Sequence, residues 1–122
     1  GPIDEQDMPG LYRSADAFYL PSEVGEDAGE GIPLTPLEAM ACGAPVVVGD
    51  QDGSRETLDE SGGGWCGDPV DLAAQAAYLR RLKEDPGLYA SERAAARARA
   101  VDAFGYAAFA AKTRTALESF LK

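Results

Sequence analysis

The 122-residue chain contains no histidine. That one absence removes histidine acid–base catalysis, Ser-His-Asp triads and histidine-containing zinc sites. Cysteine is scarce: Cys42 and Cys66 stand far apart, with no CxxC pattern, and read as two buried free thiols in a reducing compartment. Basic charge is also short. Eleven Lys and Arg face 21 Asp and Glu, for a net charge of −10, which argues against a nucleic-acid or anionic-membrane partner because either would need a basic face. No apolar run reaches the roughly 18 residues of a transmembrane helix. The start, "GPIDEQDMPG", is acidic and polar, unlike a signal peptide, and Gly1-Pro2 reads equally as a cleavage scar or as native. Repeats and low-complexity linkers are lacking too.

What is present has an ordinary globular balance, 45% hydrophobic and 26% charged, in a length suited to one domain with a real core. Asp7 to Ser14 places Met8, Leu11 and Tyr12 at helical spacing, although Pro9 and Gly10 weaken its first turn. Ala15 to Leu20, "ADAFYL", ends at Pro21 and suits a buried strand. Ser22 to Gly31 is a loop with three glycines and four acidic residues. "PLTPLEAMACG" reads as a helix, with Thr35 as N-cap, Pro36 at the first helical position, Glu38 three residues after the cap and Gly43 as the stop. Pro45 to Val48 ends in an unbroken β-branched run, as expected of a strand covered on both faces.

After the loop "GDQDGS", Arg55 to Glu60 reads as a short helix, "SGGG" as a break and Trp65-Cys66 as a very short strand. In the next helix Asp68 is the expected cap, Pro69 the opening residue, Asp71 part of the first turn, and Leu72, Ala76, Leu79 and Leu82 the buried stripe. Pro86 opens an Ala/Arg-rich helix to about Ala103, whose "SERAAARARA" reads as a solvated basic face. A last helix covers about Tyr106 to Leu121, with Phe109, Leu117 and Phe120 expected inward. Strands alternating with helices predict an α/β fold with a Rossmann-like parallel sheet. Three short strands are few for such a sheet, so residues 1–122 read as a single partial domain. A cut sheet would leave an unpaired edge and bare apolar surface, from which self-association is expected.

The chemistry concentrates in residues 30–38, "EGIPLTPLE". Ligands of open parallel sheets bind beyond the carboxyl ends of the strands, where this loop and helix start lie. Helix N-terminal amides suit a phosphate, and Gly31 allows close backbone approach. Carboxylates accept from sugar hydroxyls, so Glu30 and Glu38 could hold a sugar while the amides hold a diphosphate. The plainer alternative makes Glu38 a capping-box glutamate and Glu30 a solvated carboxylate.

"LYRSADAFYLPS", "EGIPLTPLEAMACGAPVVV", "GSRE" and "GDPVDLA" occur in the order and spacing of a known family. Over about residues 7–85 the chain resembles the retaining nucleotide-sugar glycosyltransferases of family 4, which have the GT-B fold. The resemblance implies the C-terminal half of such an enzyme, with part of its donor site. Glu30 matches the first glutamate of the family's pair, near the donor sugar and taken as the catalytic position. Glu38 matches the second, which binds the ribose hydroxyls. Gly31, Ile32 and Pro33 match the turn whose amides face the donor sugar and diphosphate, with Leu34 and Thr35 on the same turn. The implied partners are a nucleoside-diphosphate-sugar donor and an N-terminal acceptor domain of the same enzyme. No cofactor and no metal is implied, although Glu26 and Asp27 are ligands that suit a hard cation.

The family's basic pair, an Arg and a Lys that neutralise the diphosphate, lies upstream of the matched segments, and neither Arg13 nor Arg55 replaces it. The chain alone is therefore expected to be inactive in sugar transfer. The expected location is cytoplasmic, with peripheral membrane attachment of the full-length enzyme left open. A non-catalytic nucleotide-binding or interaction module of the same fold, and another GT-B enzyme such as an epimerase or phosphorylase, are the alternatives.

Overall fold

The computed structural model describes residues 2–23 and 34–121. A 3-10 turn, Glu5–Asp7, runs into helix α1, Met8–Ser14. Then follow strand β1 (Phe18–Leu20), helix α2 (Leu34–Ala41), strand β2 (Val46–Gly49), a 3-10 helix (Gly53–Thr57) and strand β3 (Gly64–Gly67). Three helices close the chain: α3 (Leu72–Glu84), α4 (Pro86–Phe104) and α5 (Tyr106–Leu121). The sheet is parallel throughout, in the order β1-β2-β3. Phe18 pairs with Val46, and Val46 in turn with Gly64.

The central strand behaves as its sequence requires. Val46, Val47 and Val48 are all buried. Val46 and Val48 face one core with Tyr12, Ala39, Met40, Ala96 and Ala100, while Val47 faces another with Tyr78 and Leu82. Alternate residues of a strand point to opposite faces, so this one strand divides the two cores. Helix α2 stops at Gly43, whose φ of 82° is the left-handed conformation that glycine takes at no steric cost.

Several sequence-based expectations are corrected. β1 is shorter than Ala15–Leu20 and is not a buried strand: Tyr19 is 50% exposed, because among the described residues β1 pairs on one side only. Helix α2 begins at Leu34, so Thr35 lies inside it rather than capping it. Arg55–Glu60 is replaced by the 3-10 helix two to three residues earlier, capped by Asp52, whose carboxylate accepts from the Ser54 amide at 2.8 Å. The cap of α3 is Asp71, which accepts from the Ala74 amide at 3.0 Å. Asp68 instead closes a turn on the Val70 amide.

The buried face of α3 is Gln75, Tyr78 and Leu82, flanked by Leu79, while Leu72 and Ala76 are exposed. The basic residues of α4 are not merely solvated. Arg97 donates to the Ala41 carbonyl at 2.6 Å. Arg99 donates to the Glu56 and Thr57 carbonyls and pairs with Asp59 at 3.2 Å. Helix α5 buries nothing: Phe109, Leu117 and Phe120 are exposed because no described element covers that face.

This contrast gives a direct stability test. Met40 is fully buried, whereas Phe120 is 85% exposed. Met40→Ala should lower unfolding free energy by about 2–5 kcal/mol in urea titrations. Phe120→Ala should change it by less than about 0.5 kcal/mol, the usual range for exposed positions.

Candidate functional site

The carboxyl edge of the sheet is set by the ends of β1, β2 and β3, at Leu20, Gly49 and Gly67. The three ends come close together. A Cβ on Gly49 would lie 2.7 Å from the Ser22 carbonyl oxygen and 3.5 Å from the Pro69 side chain. Only a residue without a side chain allows that approach. Helix α2 ends a few residues before β2 starts, at the opposite edge, so its N-terminus must face the carboxyl edge. At about 1.5 Å per residue, its eight residues span about 12 Å.

A polar bracket holds the end of β3 in place. Gln75 is 98% buried (2% exposed) on α3, and its amide nitrogen donates to the Asp68 carbonyl at 3.2 Å and the Pro69 carbonyl at 3.0 Å. Its amide oxygen accepts from the Tyr19 hydroxyl at 2.5 Å. One buried side chain therefore ties β1 to the turn that follows β3, with its own polar atoms satisfied. A second bracket lies behind the sheet. The Glu92 carboxylate on α4 accepts from the Tyr78 hydroxyl at 2.7 Å and the Gly63 amide at 3.2 Å.

Of the residues singled out from sequence, Leu34, Thr35 and Glu38 are described, and all three are exposed on α2. Glu30, Gly31, Ile32 and Pro33 lie outside the described residues, as do Glu26 and Asp27 of the candidate cation ligands. Glu38 is in the second turn of α2, and its Oε2 accepts from the Tyr12 hydroxyl at 3.1 Å. Tyr12 itself is 7% exposed, its ring packed against Phe18 at 6.0 Å between centroids. Sequence reasoning put Tyr12 at the helical apolar spacing of α1 but missed its hydroxyl. The available clue was that a buried tyrosine usually needs a partner for that group.

Burial pushes the Tyr12 phenol above the ordinary tyrosine value, and its hydrogen bond to Glu38 and that residue's charge add to the shift. Burial pushes the Tyr78 phenol far higher, helped by Glu92. The Cys66 thiol is also raised, mainly by burial and then by Asp50, which keeps it protonated and weakly nucleophilic. Both cysteines are free. The buried Ser54 hydroxyl, in the 3-10 helix after β2, has no hydrogen-bond partner among the described residues. Among the described residues no cluster of His, Cys, Asp or Glu could hold a metal ion, and no helix is long and apolar enough to cross a membrane.

Two grooves lie elsewhere. One, about 580 Å³, is lined by Asp16, Leu79, Leu82 and Tyr89 at the start of β1. The other, about 600 Å³, lies between the end of α2 and α4, beside Cys42, Arg93 and Arg97. Neither touches Glu38. The acceptors and amides at the carboxyl edge, rather than a closed cavity, define the candidate site.

This arrangement is a three-stranded parallel sheet with an exposed carboxylate on the helix after its first strand, part of an α/β fold. Among solved structures it is similar to the sucrose-phosphate synthase of Thermosynechococcus elongatus, with a TM-score of 0.79 and 26% identity, over 99% of this chain and 29% of that one. It is also similar to HepE of Anabaena in complex with UDP, with a TM-score of 0.75 and 25% identity, over 93% and 30%. AmsK of Erwinia amylovora, an amylovoran biosynthesis glycosyltransferase, is 38% identical over 81 residues, or 66% of this chain and 20% of that protein. The sequence model of the glycosyl transferases group 1 matches residues 1–100, and the chain belongs to that family. Its fold is the Rossmann-like C-terminal part of a GT-B glycosyltransferase. The chain spans 20–30% of the length of these three proteins.

Two measurements probe the geometry. Gln75→Leu leaves the Pro69 carbonyl without its donor and the Tyr19 hydroxyl without its acceptor, and should cost about 1–3 kcal/mol of stability, with amide shifts centred on residues 68–70. The raised phenols carry a sign. The unfolded chain loses its tyrosine protons near pH 10, before the fold does, so the fold binds protons more tightly in that range. Urea midpoints should therefore start to fall as pH passes the unfolded thiol value of about 8.5, through the raised Cys66, and fall more steeply beyond about pH 10.

Proposed function

We propose that the full-length protein transfers a sugar from a nucleoside-diphosphate-sugar donor to a hydroxyl acceptor, with retention of anomeric configuration, and that this chain carries the donor half of the cleft. The observation that carries this reading is the exposed Glu38 carboxylate on the helix that opens at the carboxyl edge, in a chain of the glycosyl transferases group 1 family. The UDP bound by HepE supports it, as a nucleotide held by a similar fold.

In this reading Glu38 accepts from the ribose hydroxyls. The amides of the turn at Gly31, Ile32, Pro33 (a carbonyl only), Leu34 and Thr35 line the donor sugar and diphosphate. The positive end of α2 stabilises charge that grows on the leaving diphosphate. Glu30 orients the donor sugar at the reacting centre. Catalysis is then chiefly positioning plus electrostatic stabilisation, with no metal ion and no cofactor. The acceptor side of the cleft and the cations that neutralise the diphosphate belong to parts of the enzyme beyond this chain's share of its relatives' length. A cytoplasmic location goes with the same proposal.

Amide NMR titration of the chain with UDP, GDP and ADP tests the reading. One nucleotide should shift the amides of residues 31–38. Glu38→Ala should weaken its binding roughly tenfold or more, because a hydrogen bond to a charged group contributes about 1.5–3 kcal/mol. The chain alone should transfer no sugar from the conjugate of that nucleotide. Absence of shifts with all three, or binding indifferent to Glu38→Ala, would remove the donor-site assignment.

A further inference from the structure

We infer that Tyr12 is a positioning residue for the donor nucleotide, holding the Glu38 carboxylate in the orientation that meets the ribose. The inference rests on the donor-site reading above and assigns to that site a residue from a different helix. Tyr12 is on α1 and Glu38 on α2, 26 residues further along the chain, joined by the 3.1 Å hydrogen bond from the phenol to Oε2.

The two ends of this bond differ in freedom. Tyr12 is buried, and its ring is fixed in the core with Met40, Ala39 and Val46, against Phe18. Glu38 is exposed. An exposed glutamate samples many rotamers, and ordering it on binding costs conformational entropy. Anchoring one oxygen to a fixed phenol meets part of that cost before the ligand arrives, which is how preorganisation raises affinity.

The stoichiometry also fits. An ionised carboxylate offers about four lone-pair sites on two oxygens. The phenol occupies one of them, on Oε2, and among the described residues Oε1 has no hydrogen-bond partner, which suits vicinal hydroxyl donors. The burial that raises the Tyr12 phenol keeps it protonated, so it acts as the donor and the carboxylate as the acceptor at any working pH. A phenylalanine at position 12 would keep the ring's packing and lose only this bond.

The test is a four-protein cycle: the unaltered chain, Tyr12→Phe, Glu38→Ala and the double variant. Each is titrated calorimetrically with the best-binding of UDP, GDP and ADP, and with the 2′,3′-dideoxy form of that nucleotide. Urea unfolding of each protein accompanies the titrations. Tyr12→Phe should weaken binding of the ribose form about 3–10-fold, as expected for one lost hydrogen bond. It should leave the dideoxy form unchanged, and should have no further effect once Glu38 is alanine.

Equal weakening of both nucleotides would show a general structural effect and overturn the inference, as would no weakening of either. In both of those cases the donor-site reading stands if Glu38→Ala still abolishes the preference for the ribose form. If Glu38→Ala leaves that preference intact, or if the unaltered chain binds none of the three nucleotides, the donor-site reading fails and the inference with it.

Discussion

The constraint on which the rest depends is the complete burial of β2. Val46, Val47 and Val48 have no contact with water, and the strand pairs in parallel on both sides. A parallel neighbour can be reached only by a crossover, so the chain must cross back before and after this strand, by α2 on one side and by the segment with the 3-10 helix on the other. That requirement puts α2 on the β1–β2 connection and aims its N-terminus at the carboxyl edge. The exposed Glu38 is thus placed by the apolar character of a strand it does not touch.

Polar side chains then lock the frame without opening the core. Glu92, Arg97 and Arg99 reach from α4 to the Gly63 amide, the end of α2 and the 3-10 helix after β2. Gln75 does the same for the turn after β3. These bonds reach backbone groups at the short strands and abrupt turns, such as the Gly63 amide and the Pro69 carbonyl. In a sheet whose strands have only three or four residues, these ties complement the ladder. The 3-10 helix and the glycine turn are held by α4 rather than by strand pairing alone.

Much of this was legible in the sequence. The triple valine announced a doubly covered strand, Gly43 a helix stop and the α/β alternation a parallel sheet. Four separated segments gave the family, which the match over residues 1–100 bears out. Misreadings came where a polar residue is buried or an apolar one is not. Gln75 was not among the residues expected in the buried stripe of α3, because hydropathy takes no account of the carbonyls it would meet. Phe109 and Phe120 were assigned inward because periodicity shows that a helix has an apolar face, not that something covers it. Asp68 and Asp71 compete for one cap, and the turn at Pro69 decided between them. The Tyr12–Glu38 bond joins two helices, and local pattern contains no term for such a contact. For Glu30 to Pro33 the sequence resemblance remains the guide, since they lie outside the described residues.

The central claim is that Glu38 faces a nucleotide's ribose at the carboxyl edge. A crystal structure of this chain with the bound nucleoside diphosphate tests it most directly. The account predicts the ribose hydroxyls within hydrogen-bond distance of the Glu38 carboxylate while Oε2 keeps its bond to Tyr12, with the diphosphate at the first turn of α2. A nucleotide seated in either groove away from α2's first turn, or one at the carboxyl edge with Glu38 turned away from its ribose, would contradict it.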